Sequence, residues 1–489
     1  MEQRRVRPRL TDSLGFERTL ADGHEAVALP GGRDWLLLGL GPDPRGLAAR
    51  LPAEAAVRFV ESPDFFDRAG PDWRAAIPSA WRRVTAFDPL APVNILAYRQ
   101  ALELFPDFWA PVRAGLLLPR PAGAPAATVL VPDIPGSLLY PALARAFALE
   151  GLAVRAVTRE GLLACLETER PRLFFSVNFQ GLDRFGEVQA VLARAGVPVA
   201  VWCVDNPFHV LSGVRTPAWR DLRLFVTDDW FVAPLRDHGA RCVAHLPLAA
   251  DWAFFEAVPD RPELAESLLF VGHSAFPDKG RFFAGLRPDP ALWAEALAML
   301  EGGQRPDYGW WAHRLGVAAL WPGKAARRVG IGAEEAGLFW RRLVIAEAAR
   351  FGRLAVCGDA AWPGLVDAPF AALAPVPYGA PLAGLYASAR AVVGAVSPLL
   401  PHGLSQRHFD VWAAGGCLLT DATPGLALFP EELTRPVTYA RASDIAGLAR
   451  EVERGRDGLV AAWRELIAAR HTYRHRVRSV LESLDGNAA

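Results

Sequence analysis

The residues best spaced for chemistry lie in the run Gly403-Leu404-Ser405-Gln406-Arg407-His408-Phe409-Asp410-Val411-Trp412-Ala413-Ala414-Gly415-Gly416. A helix beginning near Ser405 would present free backbone amides and the positive end of its dipole to an anion, and Arg407 would add a two-pronged contact to a phosphate. A diphosphate fits that description. Asp410 follows Arg407 by three residues, on a neighbouring part of the same helical surface. There its acceptor-only carboxylate can take the paired hydroxyls of a ribose. The same spacing also describes an Arg–Asp pair on the surface of an ordinary amphipathic helix.

Other polar residues are placed by the elements that precede them. Between about 125 and 250, short β-branched or aromatic runs alternate with runs of helical period, the signature of βαβ units and a parallel sheet. Strands are expected at Thr128 to Val131, Ala153 to Val157, Leu173 to Val177, Val197 to Val204, Leu222 to Val226 and Cys242 to Leu246. A second cycle places strands at Leu268 to Val271, Arg353 to Cys357, Ala391 to Val396 and Cys417 to Thr420, with helices near 333–350, 381–389, 404–414 and 443–454. The proline-bearing acidic stretch Leu248 to Glu266 reads as the connection between the two blocks, and 276–330 as a helical insertion. A single helical pattern, Leu459 to Leu484, closes the chain.

Ligands of open parallel sheets bind at the carboxyl ends of strands. In the first block those positions hold Asp133, Gly136, Asn178, Asp205, Asn206, His209 and the pair Asp228-Asp229; in the second they hold Gly272, His273, Ser274, Gly358, Asp359 and Ser397. Asp133 also suits a turn before Ile134-Pro135-Gly136, and Asp205 with His209 also suits the fixing of a loop.

Arg407-x-Phe409-Asp410-x-x-Ala413-x-Gly415-Gly416 runs into Cys417 to Asp421, followed by Phe429 and the terminal His471-Thr472-Tyr473-x-x-Arg476, with Phe270-Val271-Gly272 upstream. Together these stretches resemble the CgeB-like, spore-maturation-type glycosyltransferase family. Val204-Asp205-Asn206-Pro207 and Leu246 to Asp251 are similar to the amino-terminal half of such proteins. The resemblance covers roughly 125–480. It implies a GT-B architecture: two Rossmann-like, doubly wound parallel-sheet domains facing across a cleft, at 125–250 on the acceptor side and 265–458 on the nucleotide-sugar side, with 459–489 crossing back. It also implies a nucleoside-diphosphate-sugar donor, a protein or glycan acceptor, and no required metal or other cofactor. Asp410 stands where such proteins usually carry Glu, one methylene longer.

Metal-free glycosyl transfer needs cations or amide donors where the leaving diphosphate gathers charge. Arg407, Lys279 and Arg281 are the cations near donor-side strand ends, with Gly272, His273, Gly358, Asp359, Ser405 and Asp410 as further donor-binding candidates. Lys279 and Arg281 also read as plain solvated charges. An inverting reaction needs a general base, for which Asp205, His209 and Asp133 are candidates. His471 and Tyr473 read as packing or capping residues of the final helix.

The first 120 residues lie outside the resemblance and read as an α/β extension. There, Gly39-Leu40-Gly41 after a strand at Trp35 to Leu38, with Glu61 after a strand at Val57 to Val60, approximates a dinucleotide-binding turn. That motif opens a further reading, a Rossmann methyltransferase acting through Gly39, Gly41 and Glu61; an ordinary strand-to-helix turn accounts for the same residues. A third reading is a GT-B protein that binds carbohydrate or nucleotide without turnover.

Composition bounds these readings. The 489 residues exceed one ordinary core, and 52% hydrophobic content places the chain among folded proteins. The 53 basic and 53 acidic residues cancel, which removes any whole-chain attraction for nucleic acid. Apolar runs are strand-sized, too short for a membrane span, and the Arg-rich Met1 to Leu10 does not read as a secretory signal. Five scattered cysteines without a Cys-x-x-Cys pair point away from a disulfide framework or zinc site and toward a cytoplasmic setting.

Overall fold

The structure is a computed structural model that describes residues 8–120 and 122–486; residues 1–7, most of the Arg-rich start, lie outside the described residues. Two six-stranded, all-parallel sheets dominate it. The first runs in the order Cys242–His245, Arg223–Val226, Val199–Cys203, Glu169–Val177, Ala124–Pro132, Ala153–Val157. Its strands sit where the βαβ alternation puts them. Val199–Cys203 is buried at every position, as a central strand covered on both faces requires.

The second sheet has the order Ala371–Leu373, Leu354–Cys357, Leu268–Val271, Ala391–Val393, Leu418–Asp421, Thr438–Tyr439. Numbered along the chain this is 3-2-1-4-5-6, so the order reverses between Leu268–Val271 and Ala391–Val393. The crevice outside that reversal is where doubly wound sheets take their ligands. In the first sheet the reversal lies between Ala124–Pro132 and Glu169–Val177, and Asp133 and Asn178 follow those two strands. The two carboxyl-end surfaces share one cleft, so the chain has the GT-B arrangement: two Rossmann-like domains facing each other, with an α/β extension ahead of them.

The extension has its own core around a five-stranded mixed sheet, in which His24–Ala28 pairs antiparallel with Asn94–Tyr98 and the remaining neighbours are parallel. Its Gly39–Gly41 turn does not open a cofactor crevice. A Cβ on Gly41 would lie 3.0 Å from the Tyr98 ring, and one on Gly39 would lie 3.0 Å from Tyr98 Cβ. Glu61 is 4% exposed, and its two oxygens accept the amides of Leu40 (2.8 Å) and Ser62 (3.0 Å). The ribose-binding acid expected at this position is therefore spent on closing its own turn. This favours the ordinary strand-to-helix turn over the methyltransferase reading.

The expected insertion is helical, and two further departures have packing causes. The insertion supplies helices Pro290–Glu301 and Tyr308–Arg314 and leads into a long helix, Ala325–Ala349; Tyr308, Trp311, Trp321 and Val329 pack into the core on one face of the first sheet. The two halves of the molecule thus interlock. Strands Ala371–Leu373 and Thr438–Tyr439 escape periodicity because they are edge strands of three and two residues. The closing helix is two helices, Arg456–Arg470 and Tyr473–Asp485. The break at His471-Thr472 lets this segment pair with Ala250, whose amide bonds the His471 carbonyl at 2.8 Å. The last helix then lies on Tyr140–Leu149, and Arg474 and Arg478 both bond Glu150. No helix among the described residues is long and apolar enough to cross a membrane.

Candidate active site

A crevice of about 780 Å³ opens between the sheets, walled by Asp205, Asn206 and His209 on one side and by His273, Ser397 and Arg341 on the other. Asn178 builds the acceptor-side wall. It holds a left-handed backbone, φ 50°, a conformation that Asn tolerates better than most residues. Its side-chain oxygen accepts the Val204 amide at 2.9 Å, and its amide donates to Asp205 Oδ2 at 2.8 Å. Asp205 is exposed to the crevice yet has protein on most sides, and this desolvation raises its carboxyl above the ordinary range while the Asn178 bond pulls the other way. An acid held near a cleft with a raised affinity for protons suits proton transfer. Asp133 and Gly136 lie on the exposed rim.

Asn206 and His209 have structural geometry. Asn206 caps Pro207–Leu211 by accepting the Phe208 and His209 amides, and its own amide reaches across to the Leu399 carbonyl at 3.1 Å. The His209 ring packs against Phe282, Phe283 and Tyr308, and burial drives its imidazole down to about 3. A ring that binds protons so weakly is a poor general base at neutral pH, and Asp205 is the better placed candidate.

On the donor side, Gly272 and Gly358 meet back to back. A Cβ on Gly358 would fall 2.2 Å from the Gly272 carbonyl oxygen, so only glycine allows these strand ends to approach. Asp359 accepts the Ser274 amide (2.6 Å), the Ser274 hydroxyl (3.0 Å) and the Ala361 amide (3.0 Å). Burial pushes this carboxyl up, but those bonds and the charge of His273 together hold it below the usual carboxylate range. Lys279 is tied to Glu335 at 2.9 Å and Glu334 at 3.5 Å, and Arg281 is exposed.

The segment around Arg407 differs most from expectation. The helix Arg407–Ala413 has seven residues, and the Ser405 amide is already bonded by the His408 ring at 3.0 Å. Arg407 donates from Nη1 to the Val271 carbonyl at 2.8 Å, beside Gly272, and its Nε–H is buried without a partner. Among the described residues Arg407 makes no ion pair. Asp410 is 1% exposed; Gln406 Nε2 donates to its Oδ1 at 2.9 Å and Tyr378 to its Oδ2 at 2.8 Å. Burial raises its carboxyl well above the ordinary range, against the pull of those bonds. Arg407 and Asp410 therefore do not form one grip: the cation lies at the strand-end turn, while the acid is enclosed beneath it.

Gln406 extends this buried network, donating to the Ala249 carbonyl and accepting from Tyr473 at 3.3 Å. Arg476 anchors the same tail through the Pro247 carbonyl (2.7 Å) and the Leu248 carbonyl (2.9 Å). Tyr378, Gln406 and Arg341 carried no spacing signal of their own. The nearest hint for Arg341 was Gly337 four residues earlier, a helix-interior glycine of the kind that marks close approach; a Cβ there would sit 3.0 Å from Pro398. One group has the composition of a metal site: Asp228, Asp229 and His402 bring their ligand atoms within 4.8 Å of one another. They are already bonded across the cleft, His402 Nδ1 to Asp229 at 2.7 Å and the His402 amide to Asp228 at 3.0 Å.

Residues 339–482 match a family described as glycosyl transferase-like. No curated protein matches the chain. Among solved structures, Anabaena HepE in complex with UDP is 11% identical over 74% of this chain and 100% of its own, with a TM-score of 0.42. The same protein with UDP-glucose is 13% identical over 73% and 99%, with a TM-score of 0.41. An alpha,alpha-trehalose-phosphate synthase (UDP-forming) from Burkholderia xenovorans, in complex with glucose-6-phosphate, is 12% identical over 93% and 100%, with a TM-score of 0.34.

Proposed function

We propose that this protein is a cytoplasmic glycosyltransferase of the CgeB-like kind, moving a sugar from a nucleoside-diphosphate donor on the second sheet to a protein or glycan acceptor on the first, without a metal. The observation that carries this reading is the interdomain crevice at the order reversal of the second sheet, in a chain whose residues 339–482 match a glycosyl transferase-like family. Donor contacts fall to Arg407 and His273 at the turn after Leu268–Val271, with Gly272 and Gly358 giving room. Arg407 meets the charge that gathers on the diphosphate as the glycosidic bond breaks. In an inverting transfer an acceptor hydroxyl attacks the anomeric carbon, Asp205 takes its proton, and the nucleoside diphosphate leaves with the bonding electron pair.

The test is a panel of UDP-, GDP- and ADP-sugars assayed for nucleotide release and sugar transfer, with Arg407→Ala and Asp205→Asn alongside and EDTA in one arm. The proposal expects one donor to turn over, both variants to lose at least about 100-fold in rate, and EDTA to change nothing. No turnover with any donor, or full activity in Arg407→Ala, overturns it. The enclosure of Asp410 favours a second reading, a GT-B protein that binds nucleotide without turnover. Calorimetric binding with no transfer across the panel would establish that reading instead.

A further inference from the structure

Arg341 lies on the long helix Ala325–Ala349 and lines the crevice. Its Nη2 donates to the Ser274 carbonyl at 2.9 Å, while its Nε–H is buried without a partner. Arg407 repeats this pattern on the same turn: it is anchored three residues earlier, at the Val271 carbonyl, and again has an orphaned Nε–H. A buried guanidinium N–H without an acceptor is costly, because folding strips its water and returns nothing. Two such groups anchored on one turn, with Arg341 itself lining the crevice, leave the same thing missing, an anion with several acceptor oxygens.

Neighbouring charges do not supply that anion. Glu334 lies 3.7 Å from Arg341 but is also claimed by Lys279 at 3.5 Å. Asp359 is engaged by Ser274 and Ala361. The Ser274 amide and hydroxyl are thereby used up and are not donors for that anion. Lys279, another cation near a donor-side strand end, is held by two carboxylates.

Resting on the glycosyltransferase reading above, we propose that Arg341 is the second diphosphate-binding cation, closing on the donor opposite Arg407, and that Lys279 serves the helix instead. Two planar forks facing one turn suit the paired oxygens of a diphosphate better than a single ammonium.

The experiment is calorimetric titration of the full chain with UDP, GDP and ADP and with the matching nucleosides, for wild type, Arg341→Ala, Arg341→Met, Arg341→Lys and Lys279→Ala. Arg341→Met keeps the apolar stem, so a lost contact is read apart from lost packing; melting temperatures are recorded for all. The expected result is a loss of about 30-fold in nucleoside diphosphate affinity in Arg341→Ala and Arg341→Met, with nucleoside affinity within about threefold of wild type. Arg341→Lys should fall between, and Lys279→Ala should stay within about threefold. Unchanged diphosphate affinity in the folded Arg341 variants, an equal loss for nucleoside, or a larger loss in Lys279→Ala overturns the assignment. Failure of the wild type to bind any nucleoside diphosphate would instead remove the glycosyltransferase reading on which it rests.

Discussion

His209 tests whether a polar residue facing the crevice serves chemistry or packing, and Gly330 provides the probe. Gly330 lies in the long helix, where a Cβ would sit 1.9 Å from His209 Nε2, 2.5 Å from Cε1 and 3.2 Å from Cδ2. The ring cannot retreat easily, because Phe282, Phe283 and Tyr308 surround it at centroid distances of 5.1, 5.7 and 5.8 Å. Overpacking of this kind costs about 1–3 kcal/mol, while replacing a helix-interior glycine by alanine returns about 1 kcal/mol. Gly330→Ala should therefore destabilise by up to about 2 kcal/mol, a fall of up to about 8 °C in melting temperature for a cooperative unit of domain size. Adding His209→Ala removes the obstacle, so the double variant should be more stable than the sum of the singles by about 1–3 kcal/mol, the overpacking relieved. The assay is thermal and urea unfolding of the four proteins of the cycle. A rise in melting temperature for Gly330→Ala, as helix propensity alone dictates, or strict additivity, would refute the packing account. Turnover in wild type should show no ionisation assignable to His209 between pH 5 and 9, because its imidazole titrates near 3.

Other expectations follow from the same geometry. Burial lifts Glu61 to about 7; a carboxyl raised on folding lends stability below its unfolded value and loses it as pH rises through 7, so Glu61→Gln should gain on wild type between pH 5 and 8.5, by up to about 3 kcal/mol, and a flat difference in melting temperature would contradict this. Asp410→Asn should keep nucleoside diphosphate affinity within about threefold and gain in relative stability as pH rises above the ordinary Asp range, whereas a large affinity loss in a folded Asp410→Asn would return that acid to the ribose. Asn178→Asp would set a second carboxylate against Asp205 and should move the acidic limb of the pH–rate profile upward by about one unit, a shift that a purely structural Asn178 would not produce.

The two parallel sheets were legible because their central strands are buried and their apolar runs are separated by glycine-stopped helices, patterns set locally. Leu268–Val271 and Ala153–Val157 fall where the residues alone put them. What escaped depends on contacts distant in sequence. The break at His471-Thr472 exists because Ala250 pairs there. Arg407 reaches strand Leu268–Val271 instead of its own helix surface, and Asp410 turns inward because Tyr378, in a loop with no pattern, meets it. Spacing identified Arg407 and Asp410 as special but not the direction in which each points. Arg341 was hidden for the complementary reason, being one arginine among many on a long helix until the fold brings it to the Ser274 turn.

The claim on which the account depends is that a nucleoside diphosphate occupies the crevice between the Val271 turn and Ser397. Crystals soaked in turn with UDP-, GDP- and ADP-sugars test it most directly. The account predicts density for one of them with diphosphate oxygens about 3 Å from the Arg407 guanidinium. Ligand density bound elsewhere on the molecule, or no density with any of the three, would contradict it.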